Sequence, residues 1–262
     1  MISEKFSGES SAPIEAQFAR PLPRLELRWR GRPLIAGITT RELNFRSGGA
    51  GARPAQSALE AWAGPRFRSV VKASQVHGTE LFRADTVAPG KVRVEARDGF
   101  LVAATGVLLT VGVADCVPAL VYAPSVGAIA LVHAGWRGVA GGIVTAAVAE
   151  LSAEYGACPN ECVAYWGPAI GPCCYPVGEE VVESIRATGA GPDTEGWTTG
   201  CRNERWVDLR AALSRQAVSA GLLQASVVSS PACTCCDRER FHSYRRDGTD
   251  SGRMVFFAGF PG

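Results

Sequence analysis

The chain has 262 residues, of which 47% are hydrophobic and 20% charged, and its formal net charge is +2 at pH 7. This length and composition suffice for one large core, while the small charge without a basic run argues against nucleic-acid binding. The polar start argues against a secretion signal. No apolar run approaches the roughly 18 uninterrupted residues that a membrane helix requires. We therefore expect a cytoplasmic protein, and no protein partner is implied.

The first elements are expected just beyond a polar leader. Residues 1–23 are rich in serine, proline and charge, which predicts a flexible segment ahead of a single catalytic domain over residues 24–262. Alternation in LELRWR predicts an edge strand, and the GRP turn after it favours a hairpin into PLIAGITT.

The next stretch leads to the first histidine. Residues 45–53 are glycine-rich but lack the strand and the GK[ST] ending of a phosphate-binding loop, so a flexible loop is predicted. Residues 55–62 fit a short helix. Residues 67–76 form an apolar run that is typical of a strand, and this strand would deliver His77 at its C-terminal end.

Two further apolar runs lead to a cysteine and a second histidine. Residues 106–122 indicate a strand buried on both faces, interrupted just after Cys116 because Pro118 cannot donate to a ladder. Residues 128–133 predict another buried strand ending at a histidine. A turn follows, and residues 137–155 carry alanine and valine at helical spacing.

The remaining pattern is a partial alternation of strands and helices. Asp208 immediately precedes the helix predicted over residues 209–221 and can cap it through its carboxylate. Strands are predicted over residues 163–166, 226–229 and 253–258, and helices over 178–186 and 209–221. Because the alternation is incomplete, a mixed sheet in an α/β fold is favoured over a doubly wound parallel one.

His77, Cys116 and His133 form the candidate site. The chain has three histidines, and two of them precede a glycine or a short turn near the end of an apolar run, with the cysteine placed similarly between them. Gaps of 38 and 16 residues are too long for a zinc finger, so only a folded sheet could unite the three. Two imidazoles and a thiolate suit zinc, or copper. Alternatively, Cys116 is a nucleophile with a histidine base, or simply a core thiol.

The nine cysteines of the chain are an odd number without an export signal, which favours reduced thiols. The cluster of Cys233, Cys235 and Cys236 raises the question of a second metal site. We interpret it as structural, because CxCC differs from the usual zinc hairpin and the only nearby histidine is His242.

Several blocks of the sequence resemble one known family. They read QVHGTE, DGFLV, VADCVPALVYAP, ALVHAGWRGVAGG, WGPAIGPCCYPVGEEV, RWVDL and CTCCDRERFHSYRRDGTDSGRM. In this order they are similar to the family variously called YfiH-like, laccase-domain or purine nucleoside phosphorylase proteins. The resemblance implies a zinc enzyme for phosphorolysis of adenosine, inosine and methylthioadenosine and for deamination of adenosine, acting on purine nucleoside and phosphate.

The same resemblance implies a site and a fold. The family's metal ligands correspond to His77, Cys116 and His133, which also makes these the catalytic residues. The implied fold is a layered α/β/β/α arrangement with mixed sheets, related to the catalytic domains of cytotoxic necrotizing factor toxins. Those toxins use a cysteine and a histidine, so the alternative function is a thiol hydrolase or amidase with Cys116 as nucleophile and His133 as base.

An older assignment of the family is a copper-dependent polyphenol oxidase. A multicopper oxidase needs several histidine-rich sites, and three histidines cannot supply them. One copper could occupy the site of two histidines and one cysteine, but zinc is preferred.

Candidate substrate contacts come from arginines and one tyrosine. The guanidinium fork suits phosphate oxygens, and a tyrosine ring can stack on a purine. The candidates are Arg41, Arg137, Tyr244, Arg245 and Arg246. Taken singly, each arginine is more often a solvated surface charge, and the segment around Arg41 departs from the family's usual run.

Two neighbours of the site have open roles. Asp115 is a candidate to orient a ligating imidazole or simply to form a turn. His242 stands where the family more usually has an aromatic residue, and we expect it at the surface or near substrate, where it could alter base preference or add a ligand.

Overall fold

The computed structural model describes residues 3–4, 14–19, 24–29, 34–49, 51–190, 197–199 and 205–262. The strands are β1 (Ser3–Glu4), β2 (Ile14–Ala19), β3 (Arg24–Trp29), β4 (Ile35–Thr39), β5 (Ser69–Ala73), β6 (Leu81–Arg83), β7 (Gly90–Val94), β8 (Gly99–Val102), β9 (Val107–Val113), β10 (Val117–Ala123), β11 (Ala128–Ala134), β12 (Val163–Trp166), β13 (Pro176–Val177), β14 (Trp197–Thr199), β15 (Arg205–Val207), β16 (Val227–Ser229) and β17 (Met254–Phe260). The α-helices are α1 (Ala52–Ala63), α2 (Trp136–Ala140), α3 (Ile143–Tyr155), α4 (Glu179–Ile185), α5 (Leu209–Ser219) and α6 (Tyr244–Asp247).

The strands form two large sheets and one small one. The first sheet has the order β1-β2-β3-β4-β17-β9-β5-β7 and is antiparallel except that β5 runs parallel to β9 and β7. The second has the order β16-β12-β10-β11-β8-β6 and is antiparallel except for the β12–β16 and β6–β8 pairs. A small antiparallel sheet joins β13, β15 and β14. The predicted mixed sheet is therefore confirmed twice over.

The two large sheets pack face to face, and helices cover their outer faces. Val111 and Phe256 of the first sheet share a buried cluster with Leu131 of the second. The outer face of the second sheet packs against α3 and α5, and that of the first packs against α1 through residues such as Trp62. Burial on both faces explains why β10, β11 and β17 are almost continuously apolar. The resulting order is helix, sheet, sheet, helix.

The run predicted as one strand over residues 106–122 is two strands in different sheets. β9 lies in the first sheet and β10 in the second, and the chain crosses between them at residues 114–116. Pairing is broken by this crossing and not by Pro118, which lies within β10 opposite His133. Pro118 is tolerated because it is near the start of the strand, where pairing with β12 begins only at Ala119.

The helix predicted over residues 137–155 is also divided in two. α2 ends at Ala140 and α3 begins at Ile143. Gly142 between them has a φ of 77°, a left-handed conformation that glycine adopts without strain. Helical spacing alone did not reveal this break.

Parts of the leader that we expected to be flexible form strands. β2 pairs with β3, and its sequence IEAQFA alternates in the way that a strand requires. Since β3 therefore lies between β2 and β4, it is not the edge strand that we predicted. Residues 1–2, 5–13 and 20–23 of the leader lie outside the described residues.

Several local predictions are confirmed. β3 and β4 form the expected hairpin, and β12 spans the predicted residues. Asp208 caps α5, since its Oδ1 accepts hydrogen bonds from the backbone N–H groups of Arg210 and Ala211 at 3.0 and 3.3 Å. In the described part of the chain, no helix combines the length and apolarity that a bilayer crossing requires.

Candidate metal and substrate site

The three predicted ligands meet at one place between the sheets. His77 follows β5, Cys116 lies in the crossing between β9 and β10, and His133 is near the end of β11. Their donor atoms all lie within 4.8 Å of one another, and the two imidazole rings are 4.8 Å apart between centroids. His133 is buried, Cys116 is partly buried and His77 is exposed, so the cluster opens to one side.

Asp98 holds two of these side chains in position. Its Oδ1 accepts a hydrogen bond from His133 Nδ1 at 2.9 Å and from the backbone N–H of His77 at 3.0 Å. Its Oδ2 accepts from the N–H groups of Val76 and Gly78 at 3.0 and 2.7 Å. With Nδ1 of His133 engaged, its Nε2 is the nitrogen left to bind a metal or a proton. The DGFLV block contained this residue, but no spacing rule identified it.

The backbone around the cluster is arranged for close approach. A Cβ added to Gly135 would lie 2.7 Å from His77 Nδ1 and 3.1 Å from Cys116 Sγ, so only glycine leaves room for both donors. His77 and Asp115 adopt positive φ values of 61° and 85°, a left-handed conformation that costs non-glycine residues about 1 kcal/mol or more. Such strain is common at functional sites.

Cys116 and His133 influence each other's protonation. Burial alone would raise the pKa of the Cys116 thiol, but the adjacent His133 charge and hydrogen bonds from both histidines lower it to about 6. Burial alone would lower the pKa of His133, but the Cys116 thiolate and Asp98 raise it to about 9. Without a metal, the pair is therefore stabilised as thiolate and imidazolium.

Asp115 does not orient an imidazole, and that role falls to Asp98. Instead, its Oδ1 accepts a hydrogen bond from Thr234 Oγ1 at 2.6 Å. Its Oδ2 accepts from Ser243 Oγ at 3.1 Å and from the backbone N–H of Arg245 at 2.6 Å. This buried carboxylate therefore fixes the segment that follows the cysteine cluster beside Cys116.

A cavity of about 840 Å³ opens over the three ligands. Its wall combines cationic and aromatic side chains, which suits a ligand with both an anionic group and a flat ring. The cationic residues are Arg46, Lys72, Arg245 and Arg253, and the aromatic residues are Phe45, Trp136, Tyr175 and Tyr244.

The structure places two of the five predicted substrate contacts, Tyr244 and Arg245, in this wall. Arg246 instead forms a bidentate ion pair with Asp247 and donates to the backbone carbonyls of residues 234, 235 and 241. Arg137 stacks over the Trp136 ring at 4.3 Å, and Arg41 donates to the Arg238 carbonyl. Arg41, Arg137 and Arg246 are absent from the cavity wall.

The segment that we predicted as a flexible loop, residues 45–53, supplies part of the wall. Phe45, Arg46 and Ser47 line the cavity, together with Arg253 from the far end of the chain. Asn44 connects these two segments, because its Oδ1 accepts from the N–H groups of Arg46 and Arg253 at 3.0 and 3.2 Å. The sequence pattern did not predict this contact, because the two segments are more than 200 positions apart in the chain.

His242 is neither at the surface nor within the ligand cluster. It is buried, with its Nε2 3.2 Å from the carbonyl of Leu43, and its ring fills the space beside Gly252. Burial lowers its pKa, so it is a neutral core histidine. The expected surface position is therefore wrong for His242, and the residue lies neither in the cavity wall nor among the three donors.

The residues fit a bound metal. Two imidazoles and one thiolate within reach of a common centre suit zinc or copper, and a carboxylate on the second nitrogen of a ligating histidine is the usual supporting arrangement. Three protein ligands leave a position for water or substrate, as in catalytic zinc sites. The fold and the site thus define a layered α/β/β/α protein with a candidate catalytic metal centre.

Comparison with known proteins assigns the family. Residues 52–260 match the family described as "Multi-copper polyphenol oxidoreductase laccase", and the chain belongs to this family. The "Purine nucleoside phosphorylase YlmD" of Geobacillus stearothermophilus is 36% identical over 77% of this chain and 73% of its own length. The "Adenosine deaminase RL5" of an unknown prokaryotic organism is 34% identical over 66% of each chain. Since these relatives are named as enzymes, the chain is an enzyme.

Solved structures agree with this assignment. The crystal structure of YlmD from Geobacillus stearothermophilus superposes with a TM-score of 0.83 and 31% identity, covering 93% of this chain and 98% of that one. The Bacillus licheniformis hypothetical protein YfiH gives a TM-score of 0.85 at 25% identity, covering 94% and 98%. The mixed α/β fold described above is therefore the fold of these relatives.

Proposed function

We propose that this chain is a zinc-dependent purine nucleoside enzyme with His77, Cys116 and His133 as its metal ligands. The proposed reactions are phosphorolysis of adenosine, inosine and methylthioadenosine, and deamination of adenosine. The names of the relatives support the nucleoside class. The single observation that carries the proposal is the position of the three donors in a cavity with cationic and aromatic walls.

The metal and the protein have separate tasks in this proposal. Bound zinc supplies Lewis acidity, which polarises an electrophile or activates water. Asp98 keeps the His133 ring and the His77 turn in place, and Gly135 allows the donors to converge. The protein's own contribution is therefore a rigid donor set with one open side.

Substrate recognition is assigned to the cavity wall. We assign the phosphate to Arg245 together with Arg46 and Arg253, because a guanidinium binds phosphate through paired hydrogen bonds. Tyr244 is half exposed at the wall, and we propose that its ring stacks on the purine. Arg41, Arg137 and Arg246 are proposed to act indirectly, through the backbone and aromatic contacts described above.

The size of the cavity bears on how two reactions share one site. About 840 Å³ is within the range of roughly 300–1,000 Å³ that is typical of small-ligand pockets. Phosphorolysis acts at the ribose carbon and deamination at the far side of the purine, so we propose two binding orientations. The lining residues come from positions 45 to 255, which supports one catalytic domain over residues 24–262.

The test is adenine release from adenosine, measured with and without phosphate, alongside metal analysis. We expect adenine release to depend on phosphate. We also expect Cys116→Ala to lose its metal and to lose activity by more than about 100-fold, because loss of a group that only supports a ligand already lowers activity by up to about that factor. Cys158→Ala is the matched control, because Cys158 is an exposed free cysteine away from the site. Full activity of Cys116→Ala would contradict the proposal.

A second candidate function is a thiol hydrolase or amidase. Cys116, His133 and Asp98 have the order of a nucleophile, its base and the carboxylate that orients the base, and the pKa of Cys116 is lowered to about 6. A kinship with cytotoxic necrotizing factor domains would favour this function. Amide hydrolysis by metal-free protein, lost in Cys116→Ala and without phosphate-dependent adenine release, would replace the first proposal.

Copper remains the alternative metal for the same three ligands. The chain's three histidines cannot build the several sites of a multicopper oxidase, and one of them, His242, is a buried core residue. We therefore propose zinc, and metal analysis of protein purified without added metal distinguishes the two.

A further inference from the structure

A second thiol cluster lies outside the proposed catalytic site. Cys173 and Cys174 belong to a 3₁₀ turn at Pro172–Cys174, and Cys233 and Cys236 belong to the turn after β16. The four Sγ atoms all lie within 4.8 Å of one another, and all four residues are free thiols. The sequence pattern favours a structural role for residues 233, 235 and 236 and does not reveal residues 173 and 174 as their neighbours.

The distances suit a tetrahedral metal. Cys236 Sγ is 3.4 Å from Cys174 Sγ and 3.6 Å from Cys173 Sγ. Zinc–sulfur bonds of about 2.3 Å in a tetrahedron place neighbouring sulfurs about 3.8 Å apart. Small side-chain adjustments would therefore bring the four atoms around one ion.

The backbone of the cluster also resembles that of thiolate metal sites. Cys233 and Cys236 are separated by two residues, which is the spacing of a zinc-binding turn. Cys235 lies between them and obscures this spacing in the CxCC pattern. The backbone N–H of Gly171 donates to Cys233 Sγ at 3.2 Å. A parallel backbone β-bridge between Ala169 and Cys233 holds the two segments side by side.

We propose that Cys173, Cys174, Cys233 and Cys236 bind one zinc ion in a closed, structural site. Four protein ligands complete the tetrahedron and leave no position for substrate, which distinguishes this site from the one at Cys116. Binding replaces the thiol protons, which are released to solvent, with four Zn–S bonds and involves no change of oxidation state. This inference does not depend on the proposed nucleoside chemistry.

The position of the cluster indicates what the metal would stabilise. Arg245, in the cavity wall, donates to the carbonyls of Cys174 and Pro176 at 3.4 and 3.1 Å. Arg246 donates to the carbonyls of Thr234 and Cys235 at 3.0 and 3.1 Å. A zinc ion joining the two cysteine segments would therefore hold in place the backbone carbonyls to which both arginines donate.

Metal counting on the full chain tests the inference. Protein is purified under reducing conditions without chelator, and zinc is measured per chain. We expect Cys236→Ser to lose one equivalent relative to wild type, whatever the Cys116 site holds. Cys235→Ser is the matched control, because Cys235 is adjacent but outside the group of four donors, and it should retain that equivalent.

X-ray absorption identifies the ligands directly. In the Cys116→Ala variant, the remaining zinc should show four sulfur neighbours at about 2.3 Å and no nitrogen. If Cys236→Ser does not fold, Cys173→Ser at an exposed position provides the same comparison.

Three results would overturn the inference. The first is unchanged zinc content in folded Cys236→Ser or Cys173→Ser. The second is a disulfide among the four cysteines, detected by peptide mapping after alkylation, in metal-free protein that does not bind added zinc. The third is iron or copper in place of zinc at these sulfurs.

Discussion

Two sulfur-containing clusters in the described part of the chain are built in opposite ways. The cluster of His77, Cys116 and His133 uses three donors at strand ends, opens to a large cavity and is held from behind by the buried Asp98. The cluster of four cysteines lies on two loops near the surface and contains only sulfur donors. An incomplete donor set beside a cavity favours chemistry, whereas a complete set on loops favours stability. The number of ligands and their surroundings therefore distinguish the two sites more clearly than residue type.

The largest expected effect comes from Gly135→Ala. The new Cβ would lie 2.7 Å from His77 Nδ1, while the backbone angles of Gly135, φ −76° and ψ 171°, suit alanine. We expect loss of the metal at the three-donor site. Activity should fall by more than about 100-fold, which is the most that removal of a group supporting a ligand usually costs. Zinc counting and adenine release measure the two effects.

The matched change at the other cluster is Gly171→Ala. Its Cβ would lie 3.2 Å from Cys173 Sγ and 3.3 Å from the Cβ of Cys233, a milder crowding. We expect weaker metal binding at the four cysteines and retention of the metal at Cys116. If Gly135→Ala kept both metals and full activity, the tight convergence of the three donors would not be required.

Asp98→Asn should have the next largest effect. An amide has one acceptor oxygen where the carboxylate has two, so either the His133 ring or the turn before Gly78 loses its hydrogen bonds. We expect metal affinity to fall by about 10- to 100-fold, measured by competition with a chromophoric chelator. Asp115→Asn is the control, since its carboxylate holds the Arg245 segment instead. Equal losses of affinity in both variants would show that Asp98 has no special role.

The smallest expected effect separates two adjacent arginines. Arg245→Ala should raise the KM for phosphate about tenfold, because a hydrogen bond to a charged group contributes about 1.5–3 kcal/mol. Arg246→Ala should mainly lower the free energy of unfolding, by about 2 kcal/mol, because its guanidinium holds Asp247 and three backbone carbonyls. Initial rates at varied phosphate and thermal unfolding distinguish these results. A larger change in KM for Arg246→Ala than for Arg245→Ala would reverse the assignment.

Much of the fold was predictable because local patterns are strong. Alternation, apolar runs and the cap at Asp208 identified the hairpin of β3 and β4, β12 and α5. Breaks were harder to predict, because β9 and β10 are equally apolar and only their pairing partners show that they belong to different sheets. The division of the helix at Gly142 depends on one left-handed residue.

By itself, the sequence determined which donors were available and that His77, Cys116 and His133 stand at comparable strand ends, because strand periodicity and scarce histidines are local properties. Only the tertiary structure decided which residues support them. It brought Asp98 to His133, Asn44 to Arg253, and Cys173 and Cys174 to Cys233 and Cys236. These contacts join segments that are far apart in the chain, and the packing of two sheets determines their partners, which no short window of sequence contains.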